Sequence, residues 1–487
     1  MRLSATLLLL VYVALLAPVL TDFRGVMGDE AAYVDPALRW CNGKSFTSTA
    51  WNQSPDEFWA SNTPLYAMSV ATWVKFTGLE SLWSLRLFSL LVFAAGLGFW
   101  IAGCKRAGWL KSAAQQTGFL VLLLGSLYAT APSQYARPEA VGILLLGLSL
   151  CGQTLPSEKV RIMAAFASGF LVSWCGLQFV VALAVFASVW FLFAATKPWK
   201  VLASCAAGGA IGFAILFAVY HSMGVLDVFF AATFGVKSNR WDQWHGWRDP
   251  MLWSASALLL AFALLFRPSP PERQWALAGL LAGPGLAASL FFLNKFPQYY
   301  AVLALFPLCT AVCAVFPSMP KEWKPAAFAF LASASLIGFP LAALMNWNVM
   351  PGRQHADLQQ WMESALAGSK AVFVDPSAYF AARSGGREVY TQFVLEGLSR
   401  EESEHIDSAV LAPAHGLPYL RKEEVLKKLG GEWQCTAVYP VTWPPHTRAP
   451  QIDFLSRLSY AAPYRFEIWR RKDQASPQPN AHLGPEG

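Results

Sequence analysis

LSATLLLLVYVALLAPVL, residues 3–20, is followed after a six-residue joint by MGDEAAYVDPALRW, residues 27–40. The first stretch has the length and apolarity that an α-helix needs to cross the hydrocarbon of a bilayer, about 20 residues. The second places two carboxylates, Asp29 and Glu30, within ten residues of that helix's end. Charge beside lipid is costly unless something compensates it. The reading of the whole chain therefore turns on what surrounds this pair.

The chain has 487 residues, 55% of them hydrophobic and only 14% charged, with 21 Trp and 34 Phe. That is too apolar for a soluble globular protein and describes an integral membrane protein. The net charge of +7 does not point to nucleic acid, because the basic residues are scattered singly through short loops and form no basic and aromatic stripe. Cys104, Cys151, Cys175, Cys205, Cys309 and Cys313 lie in or beside apolar segments, where a thiol behaves as a small hydrophobe. No cysteine pair has metal-ligand spacing with partners. Cys41 and Cys435 alone fall in aqueous regions; a disulfide between them is compatible with the sequence, but nothing else in it supports one.

Roughly eleven spanning segments precede residue 346, near 3–20, 82–104, 115–131, 139–155, 162–175, 178–195, 201–221, 251–266, 275–293, 298–316 and 325–345. The fifth and sixth are short and almost contiguous, so counts from about ten to twelve fit. The first segment also has features of a secretory signal, but its length and the lack of a small-x-small cleavage site favour a retained helix. With the N-terminus inside, the cytoplasmic loops are CKRAGWLK, SEKVR, TKPWK, RPSPPER and PSMPKEWK, each short and basic. The outer face then carries the long loop 21–81, the turn SQYARPE, the loop 222–250, the turn NKFPQYY and everything after residue 345.

Beyond that point the composition changes. KAVFVD, REVYT, DSAVLAP, QCTAVYP and RFEIWRR read as strands, and ADLQQWMESALAG and RKEEVLKKLGG as helices closed by Gly. Residues 346–472 thus form a small extracytoplasmic α/β domain, and 473–487, polar and Pro-rich, a disordered tail. The fold class is a polytopic α-helical membrane protein, residues 1–345, with this domain appended.

Within the outer loop, NTPLYAMSVATWVKFTG, with Leu65, Met68, Trp73 and Phe76 spaced along it, predicts a helix lying in the membrane interface. A second helix from Asp29 onward is expected to be interrupted or bent at Pro36. Asp29 and Glu30 fit two uses that do not exclude each other: an N-cap with an acidic first turn, or a general base that takes a proton from an acceptor while a phosphate leaves. In SQYARPEAVG, Arg137 and Glu139 form either a snorkelling pair at a helix junction, with Pro138 at its first position, or part of a site. Arg86, one turn into the second span, either snorkels or faces an internal anion. In NKFPQYYAVLALFPL, Lys295, Tyr299 and Tyr300 are ordinary aromatic-belt residues or a set of donors suited to a lipid phosphate. VKSNRWDQWHGWRDP, with Lys237, Arg240, His245 and Arg248, reads as aromatic belt or as a sugar and phosphate cleft; His245 has no partner at ligand spacing.

The DE pair in the first outer loop, TPLY before SLRLFSLL, then ARPEAVG and KFPQYYAVLALFP together resemble the GT-C superfamily of membrane glycosyltransferases, nearest to the bacterial protein-mannosyltransferase and aminoarabinose-transferase type. The resemblance spans roughly residues 1–345. It implies transfer of a sugar, with inversion, from a polyprenyl-phosphate donor to a lipid, glycan or protein acceptor on the non-cytoplasmic face of the inner membrane. It implies no nucleotide and leaves a divalent metal ion open as cofactor. Asp29, with Glu30 beside it, matches the catalytic base; Arg137 and Glu139 match the second outer turn; Lys295, Tyr299 and Tyr300 match the donor-phosphate region. Where relatives carry a basic or His residue before Pro-Pro-Leu-Tyr, this chain has Asn62 and Thr63, so Arg86, Arg240 or Lys295 has to supply that charge. The competing class is a transporter or flippase, which predicts ionisable residues near mid-span and paired helix breaks. A membrane scaffold acting through its C-terminal domain would leave the acidic first loop unexplained.

Overall fold

A computed structural model of the chain describes residues 4–194, 197–235, 244, 246–266, 268–294, 298–412, 421–440, 447–449 and 463–472. The helices in chain order are α1 (Ala5–Leu16), α2 (Gly28–Cys41), α3 (Leu65–Thr77), α4 (Leu82–Arg106), α5 (Ala113–Gly125), α6 (Ala131–Gln134), α7 (Glu139–Gln153), α8 (Glu158–Ser173), α9 (Leu177–Phe193) and α10 (Trp199–Ser222). There follow α11 (Leu226–Phe230), α12 (Pro250–Leu265), α13 (Pro270–Phe292), α14 (Ala301–Val315), α15 (Lys324–Ile337), α16 (Phe339–Val349) and α17 (His355–Ala365). Each of the eleven apolar segments coincides with a helix, except that the last is two. That break, between α15 and α16, falls at Gly338, where an added Cβ would lie 2.3 Å from the carbonyl oxygen of Gly125. Only a glycine lets the two backbones come so close.

By length and apolarity five described runs suffice to cross a membrane: Leu82–Arg106, Trp199–Ser222, Pro270–Phe292, Ala301–Ser318 and Lys324–Ala365. Five shorter apolar helices stand among them. With no hydrophobic drive between helices in lipid, close packing depends on small residues, and the tightest pairs show it. The α4–α7 contact brings a Cβ placed on Gly147 to 2.4 Å from the Gly96 carbonyl oxygen, and α8–α10 brings one placed on Gly208 to 2.1 Å from that of Phe166. Helix α14 is the central element, buried along its length apart from Pro307. Trp100 donates to Thr310 Oγ1 across this core at 3.0 Å.

The appended domain is a five-stranded mixed sheet of β1 (Ala371–Val374), β2 (Glu388–Thr391), β3 (Ser408–Leu411), β4 (Trp433–Tyr439) and β5 (Phe466–Arg471), in the order β2-β1-β3-β5-β4. The three strands β2, β1 and β3 are parallel, and β5 runs antiparallel to β3 and β4. Every segment read as a strand contains one. Gly368 and Gly430, closing α17 and the helix Lys422–Leu429, have φ of +84° and +69°, the left-handed values such ends favour. The eight cysteines are free thiols, Cys41 and Cys435 included.

Candidate active site at one end of the bundle

Helix α2 is the helix expected from Asp29 onward, but it neither stops nor divides at Pro36. It continues to Cys41. Its apolar face, Ala31, Val34, Ala37 and Leu38, is fully buried, and that burial outweighs the backbone hydrogen bond that Pro36 cannot donate. Helix α3 follows as an interface helix: Tyr66, Ala67, Val70 and Ala71 pack inward while Met68 and Phe76 remain exposed.

The capping role falls to a different carboxylate from the one expected. Met27 is the N-cap residue, and Glu30 reaches back to accept from its backbone N–H at 2.8 Å. Glu30 is completely buried and both its oxygens are doubly occupied. Oε1 accepts from Arg86 Nε at 2.9 Å and from the backbone N–H of Ala136 at 2.7 Å; Oε2 accepts from Arg86 Nη2 at 2.7 Å as well as from Met27. Arg86, equally buried, gives its remaining donors to the carbonyls of Leu20 (2.7 Å), Arg24 (2.9 Å) and Gly25 (3.1 Å). This ion pair therefore ties together α4, the chain between α1 and α2, the start of α2 and the turn before α7. No donor of Arg86 is left for a ligand.

Asp29 stands one residue earlier on the same turn and is placed differently. Its Oδ2 accepts from Arg137 Nη1 at 2.6 Å, its Oδ1 has no hydrogen-bond partner among the described residues, and its side chain is 26% exposed. Arg137 is held from the other side by Glu139, through Nη2 at 2.9 Å and Nε at 3.1 Å, and touches Met27 Sδ at 3.3 Å. Its guanidinium lies over the Tyr299 ring at 4.0 Å and beside that of Tyr33 at 5.4 Å. Burial opposes the charge of Arg137, but Glu139 and Asp29 outweigh it and hold the group well above its ordinary value. The result is a fixed cation between two carboxylates, one sealed and one facing outward. Tyr300 contacts Tyr299 ring to ring at 4.7 Å and closes the inner side against Phe179.

The C-terminal domain is built onto this helix. Asp35, fully buried, accepts from Ser48 Oγ at 3.0 Å, Thr49 N at 2.7 Å and the Tyr379 hydroxyl, with Arg383 at 3.6 Å. Glu388 of β2 pairs with Arg39 at 3.2 Å and Lys44 at 2.8 Å. Tyr464 accepts from the Val26 backbone N–H at 3.1 Å, and the His355 backbone N–H donates to Asp22 at 2.9 Å. Burial, aided by the charge of Arg86, holds the His355 imidazole down at about 4 from its ordinary 6.5. The folded protein thus keeps His355 neutral where the unfolded chain would protonate it. Its contribution is intact above pH 6.5 and is lost as pH falls toward 4. His355→Leu should flatten the decline of thermal stability over that window, an effect of at most about 3 kcal/mol, read from melting temperatures in detergent; a decline as steep as in the parent protein would remove His355 as its source.

Of the residues singled out in the sequence, Asp29, Arg137, Glu139, Tyr299 and Tyr300 come together. Glu30 and Arg86 form the neighbouring closed pair. Arg240, Lys295, Lys237 and His245 lie outside the described residues, and Arg248 is exposed beside Asp249. No group of three or more His, Cys, Asp or Glu able to hold a metal ion occurs among the described residues. The sequence reading passed over Met27, Tyr33 and Asp35, whose partners are distant in sequence. It also passed over Asp249, which caps α12 through the Met251 N–H at 2.9 Å and accepts from Tyr128 N at 3.1 Å. The Asp249-Pro250 pair is a legible N-cap signature, and that signal was available.

The architecture is thus a many-helix bundle with two helices, α2 and α3, in the loop after α1, an acidic residue at the start of the first of them and an α/β domain seated on that loop. The chain is similar along nearly its whole length to ArnT from Cupriavidus metallidurans in the apo state, at 13% identity and a TM-score of 0.57, covering 97% of this chain and 98% of that one. The likeness extends through the C-terminal domain, beyond the part whose motifs carry a resemblance in sequence. An Archaeoglobus fulgidus oligosaccharyltransferase is also similar, at 12% identity and a TM-score of 0.45, over 83% of this chain and 68% of that one. No protein-family profile and no curated sequence matches the chain.

Proposed function

We propose that this protein is an integral membrane glycosyltransferase that moves a sugar from a polyprenyl-phosphate donor to a lipid, glycan or protein acceptor at the non-cytoplasmic face of the inner membrane. The observation that carries the reading is the asymmetry of the two adjacent carboxylates. Glu30 is sealed and saturated, whereas Asp29 has one oxygen held by a buried arginine and the other without a hydrogen-bond partner among the described residues. Asp29 takes the acceptor proton, the acceptor atom attacks the anomeric carbon from the face opposite the phosphate, and the carbon–oxygen bond to the polyprenyl phosphate breaks, inverting the centre. Arg137 and Glu139 orient the base. Tyr299, together with Lys295 and Arg240 on sequence grounds, supplies donors and charge to the departing phosphate. Glu30 and Arg86 form a buried structural pair that ties α2 to α4 and contributes stability rather than chemistry.

A transporter is the weaker reading. The charged side chains buried among the described residues of the bundle, Glu30, Asp35, Arg86, Arg137, Glu139 and Asp249, gather at its outer end rather than near mid-span. The decisive experiment incubates purified protein with labelled polyprenyl-phosphate sugars and membrane extract and identifies what becomes labelled. Label in an acceptor, dependent on the protein, is the expected result; labelled donor that only changes membrane leaflet would overturn it in favour of translocation.

A further inference from the structure

Gly28 opens α2, one residue before Asp29, and the C-terminal domain lies directly on it. A Cβ added there would stand 3.2 Å from Pro376 and 3.4 Å from the Phe393 ring. From Phe393 a chain of rings runs back to the site. Phe393 contacts Trp51 at 5.3 Å between centroids, and Trp51 stacks on Tyr33 at 6.2 Å and 29°. Tyr33 in turn lies 5.4 Å from the Arg137 guanidinium that holds Asp29. Asp29 and Tyr33, four residues apart, share one face of α2. The contacts thus close into a circuit with the carboxylate at one point and three aromatic side chains along the rest, contributed by α2, the loop after it and the appended domain.

This wall is fixed in place. Asp35 accepts from Ser48 and Thr49, and the Gln53 side chain accepts from Ala60 N at 3.0 Å and Ser61 Oγ at 2.9 Å, so the loop is pinned on both sides of Trp51. The Thr391 backbone N–H donates to the Thr49 carbonyl at 2.9 Å, and Trp51 and Phe393 each follow that bond by two residues. The Tyr33 hydroxyl accepts from Asn62 Nδ2 at 3.0 Å, and its ring meets that of Tyr66 edge-on. Trp51 and Phe393 nevertheless stay only half-buried, and the Trp51 indole N–H makes no hydrogen bond among the described residues. The two rings beside Arg137 also lead to different places. Tyr299 continues to Tyr300 and Phe179 inside the bundle, whereas Tyr33 continues to Trp51 and Phe393. With the donor phosphate at Tyr299, an inverting displacement brings the acceptor to the opposite face of the sugar, which leaves the Tyr33 side for it.

We propose that Tyr33, Trp51 and Phe393 form the acceptor subsite, that its occupant is a neutral sugar ring presenting a hydroxyl, and that Trp51 and Phe393 set this specificity. This rests on the glycosyltransferase reading above. The apolar face of a pyranose packs on an aromatic ring, and the indole N–H can donate to a sugar oxygen. None of Gly28, Tyr33, Trp51, Pro376 and Phe393 is charged, and Arg137 is already held between two carboxylates. An acceptor phosphate would meet Asp29 without a counter-charge and, being ionised, has no need of a base; a hydroxyl has. Asp29 takes the hydroxyl proton, the oxygen bonds to the anomeric carbon, and the bond to the polyprenyl phosphate breaks with its electron pair going to the phosphate.

The test uses the full-length protein in a detergent without sugar, labelled polyprenyl-phosphate sugars as donor, and octyl glucoside, octanol and octyl phosphate as acceptor probes. Octyl glucoside should exceed octanol by about tenfold or more in kcat/KM, because only the glucoside offers a ring to the wall. Trp51→Ala and Phe393→Ala should each raise KM for octyl glucoside about tenfold while KM for the donor stays within about twofold, and Trp51→Phe should recover most of the loss. Preference for octyl phosphate, or alanine variants whose KM for octyl glucoside is parental, would overturn the inference and leave the glycosyltransferase reading intact. Label that reaches protein side chains of a membrane extract, with none of the probes accepted, would do the same. No transfer to any probe or extract component would overturn that reading itself, and this inference with it.

Discussion

Asp29→Asn is expected to lower sugar transfer from a polyprenyl-phosphate donor by about 10²–10⁴-fold, the range that a positioned general base contributes. The substitution keeps the shape of the side chain and leaves an oxygen to accept from Arg137, which now sits 2.6 Å from Oδ2. What it removes is the negative charge and the capacity to take a proton. Because Met27 and Glu30 cap α2, Asp29 makes no hydrogen bond to the helix backbone. The melting temperature should fall only modestly, because Glu139 still pairs with the buried Arg137 when the Asp29 charge is removed. Full activity in the variant, at parental stability, would return Asp29 to the role of a structural partner of Arg137.

The architecture was legible in the sequence because bilayer and sheet impose simple periods. Runs of spanning length, alternating strands and glycine-closed helices each leave a local mark, and the segments read that way all contain the corresponding element. What the sequence concealed is long-range pairing. DE at positions 29 and 30 reads as two equivalent carboxylates, since neighbours on a helix share composition but point about 100° apart. One turns inward to Arg86, 56 residues away, and the other toward Arg137, 108 residues away. Nothing local distinguishes them. The same holds for Asp35, whose partner Tyr379 lies 344 residues on, in a domain that sequence reading left without a place against the membrane. Pro36 misled for a related reason: local propensity predicts a break, while the packing that overrides it comes from elements elsewhere in the chain.

Glu30→Ala should behave in the opposite way to Asp29→Asn, with stability lost and chemistry retained. Removing the carboxylate leaves the Arg86 guanidinium buried and without a counter-charge, and also strips acceptors from the backbone N–H groups of Met27 and Ala136. Breaking a buried pair from one side costs about 3–5 kcal/mol, enough to deplete folded protein in the membrane. Glu30→Gln should be nearly as damaging. Every group around the carboxylate is a donor, so the amide nitrogen would meet either Arg86 and Met27 or Arg86 and Ala136 donor to donor. Arg86→Met fails from the other side, because Glu30 loses its cation and the carbonyls of Leu20, Arg24 and Gly25 lose their donor. Combining Glu30→Leu with Arg86→Met should cost less than the sum of the single changes, since no charge is then left unpaired, but those carbonyls remain unsatisfied and full stability should not return. The measurements are the melting temperature and the specific activity per folded molecule. Glu30 variants are expected to melt earlier and to keep most of their activity per folded molecule, because Asp29 and Arg137 remain in place. A Glu30→Ala protein with parental stability and no transfer would reverse the assignment and make the sealed carboxylate, rather than the open one, the group that the reaction needs.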